Sequence, residues 1–336
     1  MPSSSFTSMA DPKVSNAPRR SQVANFVEGQ TMTSNTQTIK TRLCIISDTH
    51  GVVPKPSGAS KYAYREPFPP SDVLLHCGDL TKVGYETEYE DILDFLKSAP
   101  AELKLVIAGN HDITLHDDFY EKSGKTKHGR TPENLQRIRE MWTGSEAKKH
   151  NIIYLEEGTR SFILKTGATF TVYSSPWQPA YYDWAFTYPR STDRFNPSPP
   201  VVSEKAANPV PNHPAIDIML THGPPKGILD ETFREGENVG CDHLRMAVER
   251  CRPRVHCFGH IHEGWGAERM DWGTQKSKKV EVDMEKVVEE KCAQVGPFPG
   301  FLYVNYRFPL LNQITQYSSY CSTSSSNLHF RASRIP

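Results

Sequence analysis

Five short apolar segments lie along the chain, and each of them ends directly in polar residues. They cover residues 42–47, 72–77, 103–108, 215–220 and 254–258. Mainly apolar segments of this length are typical of strands buried on both faces, as in a sheet covered by helices. Between some of these segments the apolar residues have helical spacing, which predicts helices over 86–98, 132–142 and 241–251. The alternation of strands and helices predicts an α/β fold.

The middle of the chain has a different pattern, with shorter and more closely spaced apolar segments. Such spacing is typical of a meander, and here it predicts a crossing into a second sheet. The predicted strands are 152–155, 161–164 and 169–173, with turns at Gly158 and Gly167. Thr131 and Pro132 are predicted to cap and open the helix that ends near Trp142. The other predicted features are a strand at 301–306, a proline-rich loop at 196–214 and a charged surface insertion at 276–291.

Length and composition indicate how the chain is divided. The chain has 336 residues, and its hydrophobic content of 37% is below the globular average. One large α/β domain over 41–310 with polar ends accounts for both values. Residues 1–40 are rich in Ser, Thr, Asn and Pro without a periodic apolar pattern, so we expect a disordered N-terminal segment. The Ser-rich residues 311–336 are expected to form a divergent, disordered tail.

Charge, hydropathy and cysteine content bear on nucleic-acid binding, membrane association and disulfide formation. Lys and Arg number 39, and Asp and Glu also number 39, so there is no strong signal for binding nucleic acid or an anionic membrane. No apolar run approaches the roughly 20 residues of a transmembrane helix. The seven cysteines are scattered and odd in number, which argues against a disulfide scaffold. We therefore expect a cytoplasmic protein without a membrane partner.

Potential metal ligands follow all five apolar segments. In an open α/β sheet, ligands bind outside the carboxyl ends of the strands, so these side chains are expected to converge. Nitrogen and oxygen ligands without cysteine suit Mn, Fe or Zn. The set is too large for one tetrahedral ion and fits two ions about 3.5–4 Å apart that share a carboxylate, as in phosphatases and nucleases. The residues are Asp48, His50, Asp79, Asn110, His111, His222, His260 and His262.

Other interpretations exist for single members of this set. One histidine alone is more often a surface or core residue than a ligand, but the joint pattern favours ligands. Asp48 and Asp79 could serve a glycosidase as acid and base, although the surrounding imidazoles argue against this. The aromatic run 177–188 fits either a wall for a nucleobase or packing at the rim. The histidines outside the pattern are predicted to be structural or exposed: His76, His116, His128, His150, His213, His243, His256 and His329.

The polar residues form five motifs in a fixed order: Asp-x-His, Gly-Asp, Gly-Asn-His-Asp, a single His and Gly-His-x-His, between Asp48 and His262. This order resembles the calcineurin-like metallophosphoesterase family over roughly 42–270. The flanking segments 175–179, 221–225 and 258–264 are similar to the branch with the animal metallophosphoesterase-domain proteins. The resemblance implies a sandwich of two mixed β-sheets flanked by helices. The C-terminal end departs from the family, because only 304–306 partly matches its closing motif.

The resemblance also implies a role for each residue. One ion would be held by Asp48, His50, Asp79 and His262, and the other by Asp79, Asn110, His222 and His260. Asp79 would bridge two divalent ions, with Mn expected and Fe or Zn as alternatives. A water or hydroxide shared by the ions would attack phosphorus. His111 would stabilise charge and protonate the leaving oxygen, and Asp112 would orient His111 and favour its cationic form.

The expected reaction is hydrolysis of a small phosphate ester. The branch resemblance favours diesters over monoesters, and nucleotide diesters belong to the expected substrates. The segments that end the strands contain no Lys or Arg, whereas monoester sites usually add cations for the extra charge. The nearest cations in sequence are Lys82, Arg190 and Lys226. The alternative function is a catalytically weak protein that keeps the fold for partner binding.

Overall fold

Two mixed β-sheets form the centre of the fold in this computed structural model. All described residues belong to one compact unit, Thr38–Pro336. Of the predicted disordered segment 1–40, only Ile39 and Lys40 are among the described residues. The structure describes residues 39–54, 67–129, 132–198, 206–233, 236–274, 276–279, 301–305, 316–324 and 327–335.

All five apolar segments identified in the sequence form strands. The strands are β1 Thr41–Ile46, β2 Ser71–His76, β3 Ala101–Val106, β4 Ile152–Tyr154, β5 Gly158–Ile163, β6 Thr169–Ser175, β7 Gln178–Pro179, β8 Thr187–Tyr188, β9 Ile218–Thr221, β10 Val255–Phe258, β11 Gly266–Asp271, β12 Lys276–Lys279, β13 Phe301–Asn305, β14 Gln316–Ser324 and β15 Asn327–Ile335. The α-helices are α1 Glu86–Ser98, α2 Asp117–Phe119, α3 Lys125–His128, α4 Leu135–Thr143, α5 Ser145–Lys149 and α6 Asp242–Cys251. Single helical turns cover Ile113–Leu115, Tyr120–Gly124 and His262–Gly264.

Parallel strands occupy the middle of both sheets. The first sheet has the order β15-β14-β1-β2-β3-β4, and β1 to β4 are parallel. The second sheet has the order β12-β11-β13-β10-β9-β6-β5, and β6, β9, β10 and β13 are parallel. Because parallel strands end at the same edge, each sheet gathers the loops that follow its strands on one side. β7 and β8 form a separate two-stranded pair.

The two sheets share an apolar layer, and helices cover their outer faces. Leu43 and Ile45 of β1 pack in one cluster with Val172 of β6 and other residues of the second sheet. The alternate residues Cys44 and Ile46 pack in a second cluster with α1 and α4, because side chains alternate along a strand. A third cluster joins the second sheet to α6. This α-β-β-α arrangement confirms the predicted sandwich.

Helix α4 begins later than the sequence predicted. Pro132 was expected to open it, but the first helical residue is Leu135. Thr131, the predicted cap, lies outside the described residues. The side chain of Asn134 accepts a hydrogen bond from the N–H of Arg137 at 3.0 Å. Asparagine is among the strongest N-caps, because its side chain pairs an amide that the helix start leaves unpaired. This cap determines the boundary in place of the proline.

Within the stretch 311–336, for which the sequence predicts a disordered tail, the structure describes the two strands β14 and β15. β14 pairs antiparallel with β1, and β15 pairs antiparallel with β14. A parallel sheet leaves unpaired N–H and C=O groups along its edge strand, and β14 supplies partners for those of β1. Ser-rich composition predicted disorder, but long-range pairing with a sheet edge is not visible in local composition.

β11 and β12 extend the second sheet beyond the predicted strands. β12 lies at the start of the stretch 276–291, which was predicted as a surface insertion, and 280–291 lies outside the described residues. The predicted strand at 301–306 corresponds to β13, which pairs with both β10 and β11. Within the described residues, the helices include none that is both long and apolar enough to cross a membrane.

We expect acid to destabilise the protein partly through His256. This buried imidazole of β10 donates from Nε2 to Thr221 Oγ1 at 2.8 Å, because that hydroxyl itself donates to Gly223. Burial lowers the pKa of His256 to about 3, against 6.5 for an unfolded histidine. Between these values only the unfolded chain binds the proton, so the free energy of unfolding falls by about 1.4 kcal/mol per pH unit below 6.5.

The variant His256→Gln keeps a donor for Thr221 but cannot bind this proton. Between pH 7 and pH 5, its free energy of unfolding in urea should fall by up to about 2 kcal/mol less than that of the unaltered chain. His213 is exposed, so His213→Gln serves as the control and should follow the unaltered chain. Parallel losses in all three proteins would show that His256 is not the group that titrates.

Candidate metal centre

Four of the predicted ligands have a left-handed backbone, which is uncommon for residues other than glycine. The φ angles are 52° for Asp48, 48° for His50, 52° for Asp79 and 67° for His260. Backbone hydrogen bonds hold the first two loops together, from Asp48 N to Gly78 O at 2.9 Å and from His50 N to Asp79 O at 3.0 Å. Such strain persists only where the surroundings fix it, and it clusters at functional sites.

Two glycines let these loops approach one another closely. A Cβ atom at Gly259 would overlap the side chains of Ser47 and Asp48. A Cβ atom at Gly109 would overlap Asp79 of the first sheet and His222 of the second. The Gly-His and Gly-Asn motifs of the sequence therefore have a steric reason: any larger residue would push the loops of the two sheets apart.

The first predicted ligand group comes together in the structure. Asp48, His50, Asp79 and His262 each place one ligand atom so that all four lie within 4.8 Å of one another. His262 Nε2 is 3.2 Å from Asp48 Oδ1 and 3.4 Å from His50 Nε2. His50 Nε2 is 3.9 Å from Asp79 Oδ2. Three of the four residues are buried, and His262 is half-buried.

The second predicted group also contains Asp79. Asp79, His222 and His260 place ligand atoms within 4.8 Å of one another. His222 Nε2 is 3.4 Å from Asp79 Oδ2 and 3.0 Å from Asn110 Oδ1. Asp79 is the one residue common to both groups. The structure thus brings all seven predicted ligands together, and which of them bind metal stays a prediction.

These ligand atoms suit a cation, because the lone pairs of imidazole nitrogens face the lone pairs of the Asp79 carboxylate. His50 Nδ1 donates to the carbonyl of Thr81 at 3.2 Å, and His222 Nδ1 donates to the carbonyl of Cys77 at 2.8 Å. In the neutral rings, these bonds leave the lone pair on Nε2, the nitrogen that faces the Asp79 carboxylate. In metal sites, the histidine ligands typically donate their other ring N–H to such a backbone carbonyl, which fixes the orientation of the ring.

Burial and the charge of Asp79 set the protonation states of the histidines that would bind metal. Burial lowers the pKa of His50 to about 4 and that of His260 to about 3, so both imidazoles are neutral at pH 7. Burial also acts to lower the pKa of His222, but the Asp79 carboxylate reverses this and raises it to about 9. The His222 proton thus balances the buried carboxylate, and a metal ion would displace that proton on binding.

His111 lies beside the ligands but belongs to neither group. Its backbone N–H donates to Asp79 Oδ1 at 2.8 Å. Its ring lies edge-to-face with His50, with 4.7 Å between the ring centroids. Its Nδ1 donates to the carbonyl of Lys82 at 2.7 Å, and its Nε2 makes no hydrogen bond within the described part of the chain. This position fits the predicted role toward the substrate.

The predicted role of Asp112 as the residue that orients His111 is wrong. The Asp112 carboxylate accepts hydrogen bonds from the backbone of Leu80, Thr81 and Gly109 and from the Thr81 hydroxyl, at 2.8–3.1 Å. It is fully buried, and burial and the charge of Asp79 raise its pKa to about 7, which the four donors oppose. Asp112 therefore joins two ligand loops, and the Lys82 carbonyl takes the orienting role.

The aromatic run 177–188 divides into buried and exposed parts. Phe186 and Tyr188 are buried, whereas Tyr181 and Tyr182 are 59% and 74% exposed. Trp184 lies against His111, with 4.1 Å between the ring centroids. Sequence reasoning did not single out Trp184, because nothing local distinguishes it from its aromatic neighbours. Packing therefore accounts for only part of this run.

A model of the calcineurin-like phosphoesterase family matches residues 41–264. Metallophosphoesterase domain-containing protein 1 of Homo sapiens and that of Mus musculus are both 36% identical over 238 residues, which cover 67% of this chain. The chain spans 62% of the length of these relatives. The probable rhamnogalacturonate lyase C of Emericella nidulans is 32% identical over 74% of this chain but only 20% of its own length.

Among solved structures, TT1561 of Thermus thermophilus aligns with a TM-score of 0.37 and 11% identity, over 72% of this chain and 99% of that one. This similarity is weak, so the assignment rests on the family model and the sequence relatives. The matched residues 41–264 exceed half of the chain and contain all seven predicted ligands. The chain belongs to the calcineurin-like phosphoesterase family.

Proposed function

We propose that the chain hydrolyses phosphate esters with the help of two divalent metal ions, and that phosphodiesters are its preferred substrates. The observation that supports this proposal best is the pair of ligand groups that share Asp79, with His111 beside them. Bound divalent ions would neutralise phosphate charge and acidify water, which is the chemistry that this reaction needs. The complete ligand set favours this function over partner binding by a weak catalyst.

The chain's own residues hold and orient the reacting groups. Asp48, His50, Asp79 and His262 would hold one ion, and Asp79, Asn110, His222 and His260 the other. The carbonyls of Thr81 and Cys77 keep the Nε2 atoms of His50 and His222 turned toward Asp79. The ligand geometry is therefore set before substrate binds, which reduces the cost of ordering the site during the reaction.

His111 would act on the substrate from Nε2. Its Nδ1 is engaged with the Lys82 carbonyl, so in the cationic ring the remaining proton is on Nε2. This proton can stabilise negative charge on the phosphoryl oxygens and then pass to the leaving oxygen. The leaving alcohol departs neutral, and His111 is left as the neutral imidazole.

The cations near the centre support the preference for diesters. Arg190 donates to the carbonyls of Val239 and Gly240 at 2.9 and 2.8 Å. Lys226 donates to the carbonyl of Asn238 at 2.6 Å. The side chains of Arg190 and Lys226 thus bind backbone carbonyls, whereas Lys82 is exposed and its own carbonyl accepts from His111. Among these three cations, Lys82 is the candidate to bind the second negative charge of a monoester.

Metal identity and compartment are further parts of the proposal. A site of imidazole, carboxylate and amide oxygen without thiolate suits Mn, with Fe or Zn as alternatives. We propose the cytoplasm as the compartment, because Cys44, Cys77, Cys241, Cys251 and Cys257 are buried and free. Small phosphodiesters, including nucleotide diesters, are the proposed substrates.

Removing the shared carboxylate should remove metal and activity together. Asp79 is the residue that both ligand groups use, so Asp79→Ala leaves each group one ligand short and leaves His222 without its counter-charge. Metal analysis should give two ions per unaltered chain and substantially fewer for this variant. Asp91→Ala, at an exposed position of α1, is the control and should keep both. A variant that still holds two ions would refute the bridging role.

Removing His111 should separate catalysis from metal binding. His111→Ala should keep its metal content, because His111 is in neither ligand group. Its kcat should fall by roughly 10²–10⁴-fold, as expected for loss of a positioned acid, and less for nitrophenolate, which needs little protonation. His213→Ala is the exposed control. Loss of an ion from His111→Ala would instead make His111 a ligand.

Substrate preference can be measured directly with model esters. We expect kcat/KM for bis(nitrophenyl) phosphate to exceed that for nitrophenyl phosphate at the same pH and metal, after correction for their intrinsic reactivity. The variant Lys82→Ala should change neither value strongly. A preference for the monoester that disappears in Lys82→Ala would contradict the proposal and identify Lys82 as a phosphate clamp.

A further inference from the structure

We infer that Trp184 is a positioning residue, which holds the imidazole of His111 in place for proton transfer to the leaving group. The inference rests on the proposed function of His111 and adds a residue to it. The five motifs do not contain Trp184, which lies 73 residues after His111 in the loop between β7 and β8. Its place in the site is a result of the fold.

Three contacts of different geometry restrain the His111 ring. The indole of Trp184 covers it, with 4.1 Å between ring centroids and 34° between ring planes. His50 meets it edge-to-face, with 4.7 Å between centroids and 86° between planes. The Lys82 carbonyl accepts from Nδ1 at 2.7 Å. The hydrogen bond limits rotation of the ring, and the two ring contacts limit its tilt and translation.

The loop that carries Trp184 is itself anchored. Lys127 of α3 places Nζ 4.5 Å from the centroid of the Trp184 ring and 3.6 Å from Asp183 Oδ2. The hydroxyl of Thr187 donates to the carbonyl of Trp184 at 3.3 Å. The Lys127 ammonium thus contacts the indole ring, and the Thr187 hydroxyl holds the backbone of Trp184. Trp184 can therefore act as a fixed support for the imidazole.

The neighbouring aromatic residues do not share this role. Tyr181 and Tyr182 are largely exposed and contact each other, with 4.3 Å between their ring centroids. Phe186 lies against His116 and Trp177 instead. Trp184 is thus the described aromatic of this loop that contacts His111. Tyr182 provides a matched control in the same loop.

The effect of Trp184 should depend on the leaving group. If the indole only packs the loop, its removal should affect all substrates alike. If it holds His111 on the leaving oxygen, its removal should matter most where that oxygen needs a proton. A misplacement of about 1 Å can cost up to about 10²-fold in rate. We therefore expect that loss for poor leaving groups and little loss for nitrophenolate.

The kinetic test uses aryl methyl phosphodiesters whose leaving phenols differ in pKa. For Trp184→Leu, log kcat should fall more steeply with leaving-group pKa than for the unaltered enzyme, with KM nearly unchanged. Trp184→Phe keeps a smaller ring and should lie between the two. Tyr182→Leu should match the unaltered enzyme. Metal content should be equal in all four proteins.

A second readout does not depend on activity. In histidine-labelled, zinc-loaded protein, the carbon-bound ring protons of His111 lie against the indole face, so their NMR signals should be shifted upfield. Trp184→Leu should move them downfield, Trp184→Phe should move them part of the way, and Tyr182→Leu should leave them in place. The signals are assigned by their absence from His111→Ala. If Trp184→Leu does not fold, Trp184→Phe still tests both effects.

The outcomes separate the inference from the proposed function. An unaltered chain that hydrolyses none of the diesters, although it carries two ions, would refute the proposed function. A steep leaving-group dependence in His111→Ala without one in either Trp184 variant would keep the function and overturn the inference. Equal losses on all substrates in Trp184→Leu, with His111 signals unmoved, would make Trp184 a packing residue only.

Discussion

The burial of the Asp79 carboxylate is the constraint on which the rest of the site depends. Asp79 is 1% exposed, and a buried charge is costly unless opposite charge or hydrogen-bond donors surround it. The compensating groups come from both sheets: the cationic ring of His222 follows β9, and the backbone N–H of His111, which follows β3, donates to Asp79 Oδ1. The sandwich therefore aligns the strand ends of its two sheets around this carboxylate.

The same constraint explains the unusual backbone around the site. A left-handed backbone conformation, which residues other than glycine rarely adopt, occurs at Asp48, His50, Asp79 and His260. Gly109 and Gly259 permit contacts that a Cβ atom would block. Such features cost stability and persist where the surroundings enforce them. Asp112 is part of that enforcement, because it joins the loop after β2 to the loop after β3. The ligands are thus held by a network of backbone contacts before any ion binds.

Sequence reasoning succeeded where a local pattern has a direct geometric meaning. A buried parallel strand that ends in Asp or His places that residue at a known edge, so the convergence of seven ligands could be expected. It failed where the outcome depends on distant partners. Asp112 is adjacent to His111 in sequence, but its carboxylate faces Leu80, Thr81 and Gly109. Likewise, Trp184 and the strands β14 and β15 find their partners across the fold, and no local composition marks them.

The central claim is that one site with two ions forms around Asp79, and anomalous diffraction from crystals grown with Mn²⁺ tests it most directly. Two anomalous peaks about 3.5–4 Å apart are expected, one on each side of the Asp79 carboxylate. One peak should lie among Asp48, His50 and His262, and the other among Asn110, His222 and His260. A single peak at full Mn²⁺ occupancy, or two peaks that do not share Asp79, would contradict a shared dinuclear centre.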